Sequence, residues 1–283
     1  MPQKRFYGTD GSTTTEEVRK DGTEVKTETT TDGETTAEVK ADGQAEVTIP
    51  VPDTEKVQMV VVTDENGNNT YITEVETNNN GVAVTTDGNA TVSVMSGNKK
   101  EFVDVHHVDH WSEKSVDFVY ILGLMNGTSE NHFSPDVHLT RAMLVTVLYR
   151  AEGEPEITND KSFTDVENGS YYEKAVAWAK ANGIVNGTSA TTFEPNVSIT
   201  REQIAAIMHR YADFKGHDVQ VGENTNILSY DDVHHVSEYA IGAMQYAVGS
   251  GLIKGKTEST LNPLDNATRA EAAAILERFI KAN

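Results

Sequence analysis

The sequence predicts an α+β chain of more than one domain: an antiparallel β-meander with a small β-domain, then a mainly helical part made of three helix–loop–helix repeats. Three observations predict it. Asp-Gly pairs punctuate a Thr-rich tract at Asp10-Gly11, Asp21-Gly22, Asp32-Gly33 and Asp42-Gly43, spaced 11, 11 and 10 residues apart. Near Lys100 the apolar spacing changes from alternation to helical periodicity. Beyond it, Gly, Pro and Arg positions recur in step. They shift by 60 from first unit to second (127 to 187, 135 to 195, 141 to 201) and by 68 from second to third (187 to 255, 195 to 263, 201 to 269).

Asp-Gly between runs of Thr, Val and Glu is hairpin chemistry, because glycine accepts the positive φ that tight turns demand. Strands are expected at Ser12–Lys20, Thr23–Thr31 and Glu34–Ala41, with little apolar content beyond Val18, Val25, Ala37 and Val39. So little apolar surface predicts an exposed or partly disordered sheet over residues 1–43. From Gln44 the alternation turns apolar, with Ala45, Val47, Ile49 and Val51 on one face. Further strands are expected at Val57–Thr63, Tyr71–Val75, Val82–Val84 and Thr91–Val94, separated by Asn66-Gly67, Asn80-Gly81 and Asp87-Gly88. These suit hairpins, and residues 44–98 read as a β spacer domain without a catalytic constellation.

Composition removes several functions. With 283 residues, 37% of them apolar, the chain has material for about two domains and is not disordered throughout. Its 23 basic and 44 acidic residues give a net charge of −21, which repels nucleic acid. No apolar run approaches the roughly 20 residues of a membrane span, so no membrane insertion is expected. Without cysteine there are no disulfides, thiol nucleophiles or thiolate metal sites. No phosphate-cradling glycine loop and no G-x-S-x-G elbow occur, and no acidic pair stands out for glycoside hydrolysis. Neither an enzyme nor a cofactor is expected.

The repeats are expected at 99–157, 158–222 and 223–283. Their openings are Phe102-Val-Asp104-Val, Phe163-Thr-Asp165-Val and Tyr230-Asp-Asp232-Val, and their middles hold Asn126-Gly127, Asn186-Gly187 and Lys254-Gly255. Closings run Phe133-Ser-Pro135, Phe193-Glu-Pro195 and Leu261-Asn-Pro263, each followed by a Thr-Arg pair. In the first helix Ser115, Val116 and Val119 have counterparts Ala175, Val176 and Ala179, then Ala243, Met244 and Ala247, an i, i+1, i+4 apolar face. Those helices should stop at Gly123, Gly183 and Gly251. Thr140, Thr200 and Thr268 stand where an N-cap belongs, and Gln203 and Glu271 complete a capping box that Met143 breaks. Leu144, Val147 and Leu148, with Ile204, Ile207 and Met208 and with Ala272, Ile275 and Leu276, supply a stripe that one unit cannot bury alone.

The F-x-D-V opening, the G-[IL]-[VIM]-x-G middle, the F-x-P turn and the T-R-A or T-R-E helix start together resemble the S-layer homology domain, present three times over about residues 100–283. That resemblance implies a pseudo-threefold assembly around a helical bundle at the C-terminus of a secreted bacterial surface protein. It also implies non-covalent attachment to the cell wall through a secondary cell-wall polysaccharide, often carrying ketal-pyruvylated amino sugars. The start at Met1-Pro2-Gln3 has no apolar leader, which predicts a piece of a longer surface protein.

The family's arginine falls on Arg141, Arg201 and Arg269. A cation at the first helical position opposes the macrodipole, so stability would not choose it three times. A helix N-terminus with free amides beside a guanidinium suits a carboxylate instead. Asn126, Gly127, Asn186, Gly187 and Gly255 are expected to line the same sites. Departures make the three grooves unequal: Lys254 replaces Asn, the first-helix Trp survives only at Trp111 with Tyr171 and Tyr239 in its place, and Asn131, Thr191 and Ser259 stand where many members have a turn glycine, which Thr suits poorly. Self-association in a surface layer is the alternative reading.

Asp104-Val-His106-His107-Val-Asp109-His110 has metal-ligand residue types. The second repeat carries Glu167-Asn168 at that loop, so it reads as surface, and no metal site is expected. A polysaccharide-active enzyme using these loops is the third reading. Asp104, Asp165 and Asp232 are expected to cap the first helix or hold the inter-repeat loop, and Phe118, Trp178 and Tyr246 to pack in the core.

Overall fold

The computed structural model describes residues 4–157, 163–220 and 227–282; the expected repeat boundaries at 158 and 222 lie outside them. The fold class is α+β, in two compact units that part between Glu101 and Phe102.

Among the described residues ten antiparallel strands form the first unit: β1 (Lys4–Tyr7), β2 (Thr13–Val18), β3 (Glu24–Thr29), β4 (Thr35–Lys40), β5 (Gln44–Ile49), β6 (Val57–Asp64), β7 (Asn69–Ile72), β8 (Thr77–Asn78), β9 (Gly81–Asp87) and β10 (Ala90–Ser96). One sheet runs β1-β2-β3-β4-β10-β6-β7 and the other β5-β9-β8. The Thr-rich tract is thus hydrogen-bonded to the segment beyond residue 43, through Val39↔Ala90 to Thr35↔Val94. It also buries one face. Val25, Ala37 and Val39 join Ala45, Val47, Ile49, Val60, Val82, Val84, Val92 and Val94 in one apolar cluster drawn from both sheets. Thr15, Thr27 and Thr35 are buried beside them: threonine's methyl packs on a pleated face where its hydroxyl predicts solvent.

Two of the expected hairpins are absent. Asp42-Gly43 and Asp87-Gly88 carry the chain from one sheet to the other and lie side by side, the Gly88 amide donating to the Gly43 carbonyl at 2.9 Å. Their glycines have the positive φ expected, but the strands they join find better partners elsewhere.

The second unit holds α1 (Glu113–Ile121), α2 (Arg141–Ala151), α3 (Glu173–Ala181), α4 (Arg201–Phe214), α5 (Ile241–Gly249) and α6 (Arg269–Lys281). The first helix of each repeat ends at a left-handed glycine, Gly123, Gly183 or Gly251. Thr140, Thr200 and Thr268 accept from the amides of Met143, Gln203 and Glu271, and the Gln203 and Glu271 side chains return the bond to the cap amides. The stripe from Leu144 to Leu276 is buried at every expected position.

Backbone bonds then join the repeats in a closed cycle. The Leu139 amide donates to Ala267, Ala267 to Ile199 and Ile199 to Leu139, each at 2.9 Å. A second circuit runs from the Arg141, Arg201 and Arg269 amides to the carbonyls of Val197, Asp265 and Val137.

The left-handed residue of each closing turn is Ser134, Glu194 or Asn262, one place after the aromatic or leucine, whereas Asn131, Thr191 and Ser259 keep ordinary dihedrals. The concern over Thr191 therefore does not arise. Glu194 carries the strain instead, and Glu194→Asn, the residue type found at 262, is expected to gain about 0.5–1 kcal/mol and raise the melting midpoint by about 1–3 °C. An unchanged or lowered midpoint in calorimetry would contradict this.

Candidate functional site

Arg141, Arg201 and Arg269 open α2, α4 and α6 and are only 6%, 5% and 6% exposed. Each Nε donates to the closing-turn carbonyl of another repeat: Arg141 to Phe193 at 2.8 Å, Arg201 to Leu261 at 2.8 Å and Arg269 to Phe133 at 2.9 Å. Arg141 and Arg269 also lie over the rings of Phe193 and Phe133, at 4.8 and 4.5 Å. Stability does choose arginine here. Its cost at a helix N-terminus is offset by a charge-assisted bond to a buried carbonyl.

The helix N-termini are not free either. The first amides of α2, α4 and α6 serve the inter-repeat circuit. The second donate to Pro195, Pro263 and Pro135, and the third are held by the threonine caps. Anion recognition by open helix amides is therefore ruled out, leaving side chains to do it.

Those side chains line two clefts of about 360 and 410 Å³. In the first, Arg141 of the first repeat meets Asn186, Gly187, Gln203 and Arg210 of the second and Tyr239 of the third. In the other, Arg201 of the second repeat meets Lys254, Gly255, Glu271 and Arg278 of the third and Trp111 of the first. The expected residues are thus brought together across repeat boundaries. On the third arginine's side, Arg269 Nη2 donates to the Asn126 carbonyl at 2.7 Å, and Arg150 and Arg269 both act electrostatically on Tyr171.

Gly127 is closely packed: a Cβ there would come within 2.6 Å of the Phe102 ring and the Ser129 carbonyl. Gly187 and Gly255 sit likewise under Phe163 and Tyr230 while bordering the clefts.

Sequence reasoning missed Arg150, Arg210 and Arg278. Their signal was in plain view, since they recur at the same shifts of 60 (150 to 210) and 68 (210 to 278). Trp111, Tyr171 and Tyr239 were seen only as family departures; they are 62%, 63% and 57% exposed. Phe118, Trp178 and Tyr246 are buried, as expected of packing residues.

Electrostatics differ between the clefts. Glu271 accepts from Arg201 Nη1 at 3.2 Å and pairs with Lys256 at 2.7 Å, so an internal carboxylate covers that arginine. Neutral Gln203 holds the corresponding place beside Arg141. Buried Glu202 accepts from the Ser237 amide and hydroxyl and from the Tyr239 hydroxyl at 3.0 Å. Partial burial, and then this hydrogen bond, push the Tyr239 phenol up to about 12, so it stays a neutral donor.

Asp104, Asp165 and Asp232 do not cap the first helices. Each carboxylate takes two successive amides of its own closing turn, at Phe133 and Ser134, Phe193 and Glu194, or Leu261 and Asn262. The His-rich loop also disperses: His110 contacts Ser112 and Asp136, while His106 Nε2 meets Asp117 at 2.8 Å. His106, Glu113 and Asp117 place ligand atoms within 4.8 Å of one another, a set different from the run read in the sequence. His106 Nδ1 faces both the Phe102 amide at 2.9 Å and the Phe102 carbonyl at 3.1 Å while Nε2 meets Asp117, so both ring nitrogens have protein partners.

No helix among the described residues is long and apolar enough to cross a membrane. Residues 101–142, 162–205 and 229–273 match the S-layer homology domain. Similar proteins include an endoglucanase of a Bacillus species, 30% identical over 68% of this chain and 20% of its own length. A surface-layer 125 kDa protein of Lysinibacillus sphaericus is 27% identical over 68% and 16%. A cellulosome-anchoring protein of Acetivibrio thermocellus is 24% identical over 53% and 33%. The chain spans a third or less of each of these relatives.

Proposed function

Residues 101–273 are a tandem of three domains of the S-layer homology family, and from that membership we propose that the chain anchors a bacterial surface protein non-covalently to the cell wall through an anionic secondary wall polysaccharide. Its location is the cell surface or cell wall. The three repeats act as one pseudo-threefold body, a reading supported by the closed cycle of bonds through Leu139, Ile199 and Ala267. Recognition, not turnover, is the chemistry.

The observation that carries the proposal is the pairing, in each cleft, of a buried arginine from one repeat with a second arginine and an aromatic residue from the other two. In a chain of net charge −21, two convergent guanidiniums are a costly arrangement unless they face an anion. Guanidinium grips a carboxylate bidentately, and an exposed ring alongside offers a face to a sugar. Pyruvate ketals on amino sugars supply that carboxylate.

Co-sedimentation with peptidoglycan sacculi, before and after chemical removal of the attached polymer, tests this. Binding should be lost with the polymer and fall by about tenfold or more when Arg150, Arg210 and Arg278 are all changed to Gln. These three serve better than Arg141, Arg201 and Arg269, whose buried bonds hold the repeats together. Binding indifferent to both treatments would favour assembly of a protein lattice, the reading to which surface-layer relatives point.

A further inference from the structure

The three arginines differ in what their terminal nitrogens do. Arg201 Nη2 donates to the Lys254 carbonyl at 2.6 Å and Arg269 Nη2 to the Asn126 carbonyl at 2.7 Å. Each is capped by the main chain of the residue before Gly255 or Gly127. Arg141 has no such cap. Its Nε bond to Phe193 is its one side-chain hydrogen bond among the described residues, so its terminal nitrogens have no protein acceptor there although the residue is 94% buried and lines a cleft.

The backbone explains the difference. Gly187 has φ +77°, whereas Gly127 and Gly255 lie outside the positive region. A different φ at this glycine turns the preceding peptide plane, and among the described residues the Asn186 carbonyl accepts no bond from Arg141.

The neighbouring side chains act in the same direction. Gln203 stands where Glu271 covers Arg201, and its oxygen is already used by the Thr200 amide at 3.2 Å. Arg210, which lines the same cleft as Arg141, forms no side-chain hydrogen bond or ion pair among the described residues. Glu194 exerts some attraction on Arg141, but it is exposed and makes no ion pair with it.

We infer that the Arg141 cleft is the principal anion site, taking the carboxylate of an acidic sugar between Arg141 and Arg210, while Arg201 and Arg269 are held self-capped by Lys254, Glu271 and Asn126. This rests on the wall-polysaccharide reading and names which of its clefts is ready. A ligand at either other arginine must first displace a backbone carbonyl, and in the Arg201 cleft a carboxylate as well.

Conservative exchanges test it in the full chain. Gln203→Glu places opposite Arg141 the carboxylate that Arg201 already has, and glutamate keeps the capping box intact. Calorimetric titration with wall polymer released from sacculi should show Gln203→Glu and Arg210→Gln each binding about tenfold more weakly than the unaltered chain. Melting midpoints should stay close together, which separates lost binding from lost fold.

Polymer binding that survives both Gln203→Glu and Arg210→Gln would overturn the site and leave the wall reading standing. Glucuronate, a single sugar carboxylate, is the second probe. If the chain ignores the polymer yet binds glucuronate in a manner abolished by Gln203→Glu, the wall reading fails and the site stands. A chain that binds neither probe overturns both.

Discussion

Changing Arg269 to Met is expected to lower the unfolding free energy by about 3 kcal/mol. The variant loses two charge-assisted bonds, to the Phe133 and Asn126 carbonyls, and leaves the buried one at Phe133 without a donor. Ring contact with Phe133 goes as well. A surface arginine would contribute a fraction of this, but a side chain 6% exposed has no water to replace its partners. Position adds to the effect, because this arginine ties the third repeat back to the first. Urea unfolding followed by circular dichroism should show an earlier transition of similar slope. A loss below about 1 kcal/mol would mean that the contact is incidental.

The second large effect is expected at Asp232. Its carboxylate accepts from the Leu261 and Asn262 amides at 2.8 and 2.7 Å, and the second of these residues is in the left-handed region. Asp232→Ala should cost about 2–3 kcal/mol at neutral pH, and Asp232→Asn, which keeps one acceptor, about half as much. The effect has a pH signature. Burial alone would raise this carboxyl, but the two amides outweigh it and hold it below the ordinary carboxylate value. A group depressed in the folded state stabilises above its unfolded pKa of about 3.9, and that contribution is lost as pH falls towards the folded value. Thermal melts between about pH 6 and 2 should therefore lie closer together for Asp232→Asn and the unaltered chain as the solution becomes more acid. A gap that stays constant would show that the amides do not favour the charged form.

The limits of the sequence reading follow from distance along the chain. Caps, helix-stopping glycines and the buried stripe are legible because their partners stand within about a turn of each other. Repeat register is legible because it is a relation between identities. The arginine bonds are not, since their acceptors lie 52, 60 and 136 residues away and are carbonyls, which every residue has. The arginines can be located from sequence, but their burial against another repeat's carbonyl cannot, so the sequence alone favours a ligand or a surface salt bridge for them. In the β unit the same gap appears as two turns of correct chemistry and wrong connectivity. Gly43 and Gly88 bend the chain as expected, but which strands then pair is settled by the shared apolar cluster. The threonines misled for another reason: counting side chains as polar or apolar discards the methyl that Thr15, Thr27 and Thr35 bury.

The cross-repeat make-up of the clefts sets a rule for truncation. The Arg141 and Arg201 clefts each take lining residues from all three repeats, so a chain cut back to two repeats keeps neither cleft whole. Cutting away the third repeat takes Tyr239 from one cleft and almost the whole of the other. Cutting away the first takes Arg141 from one and Trp111 from the other. On the proposed wall-anchoring reading, binding is then a property held jointly by the repeats, and deleting one of them is expected to cost more than a third of it.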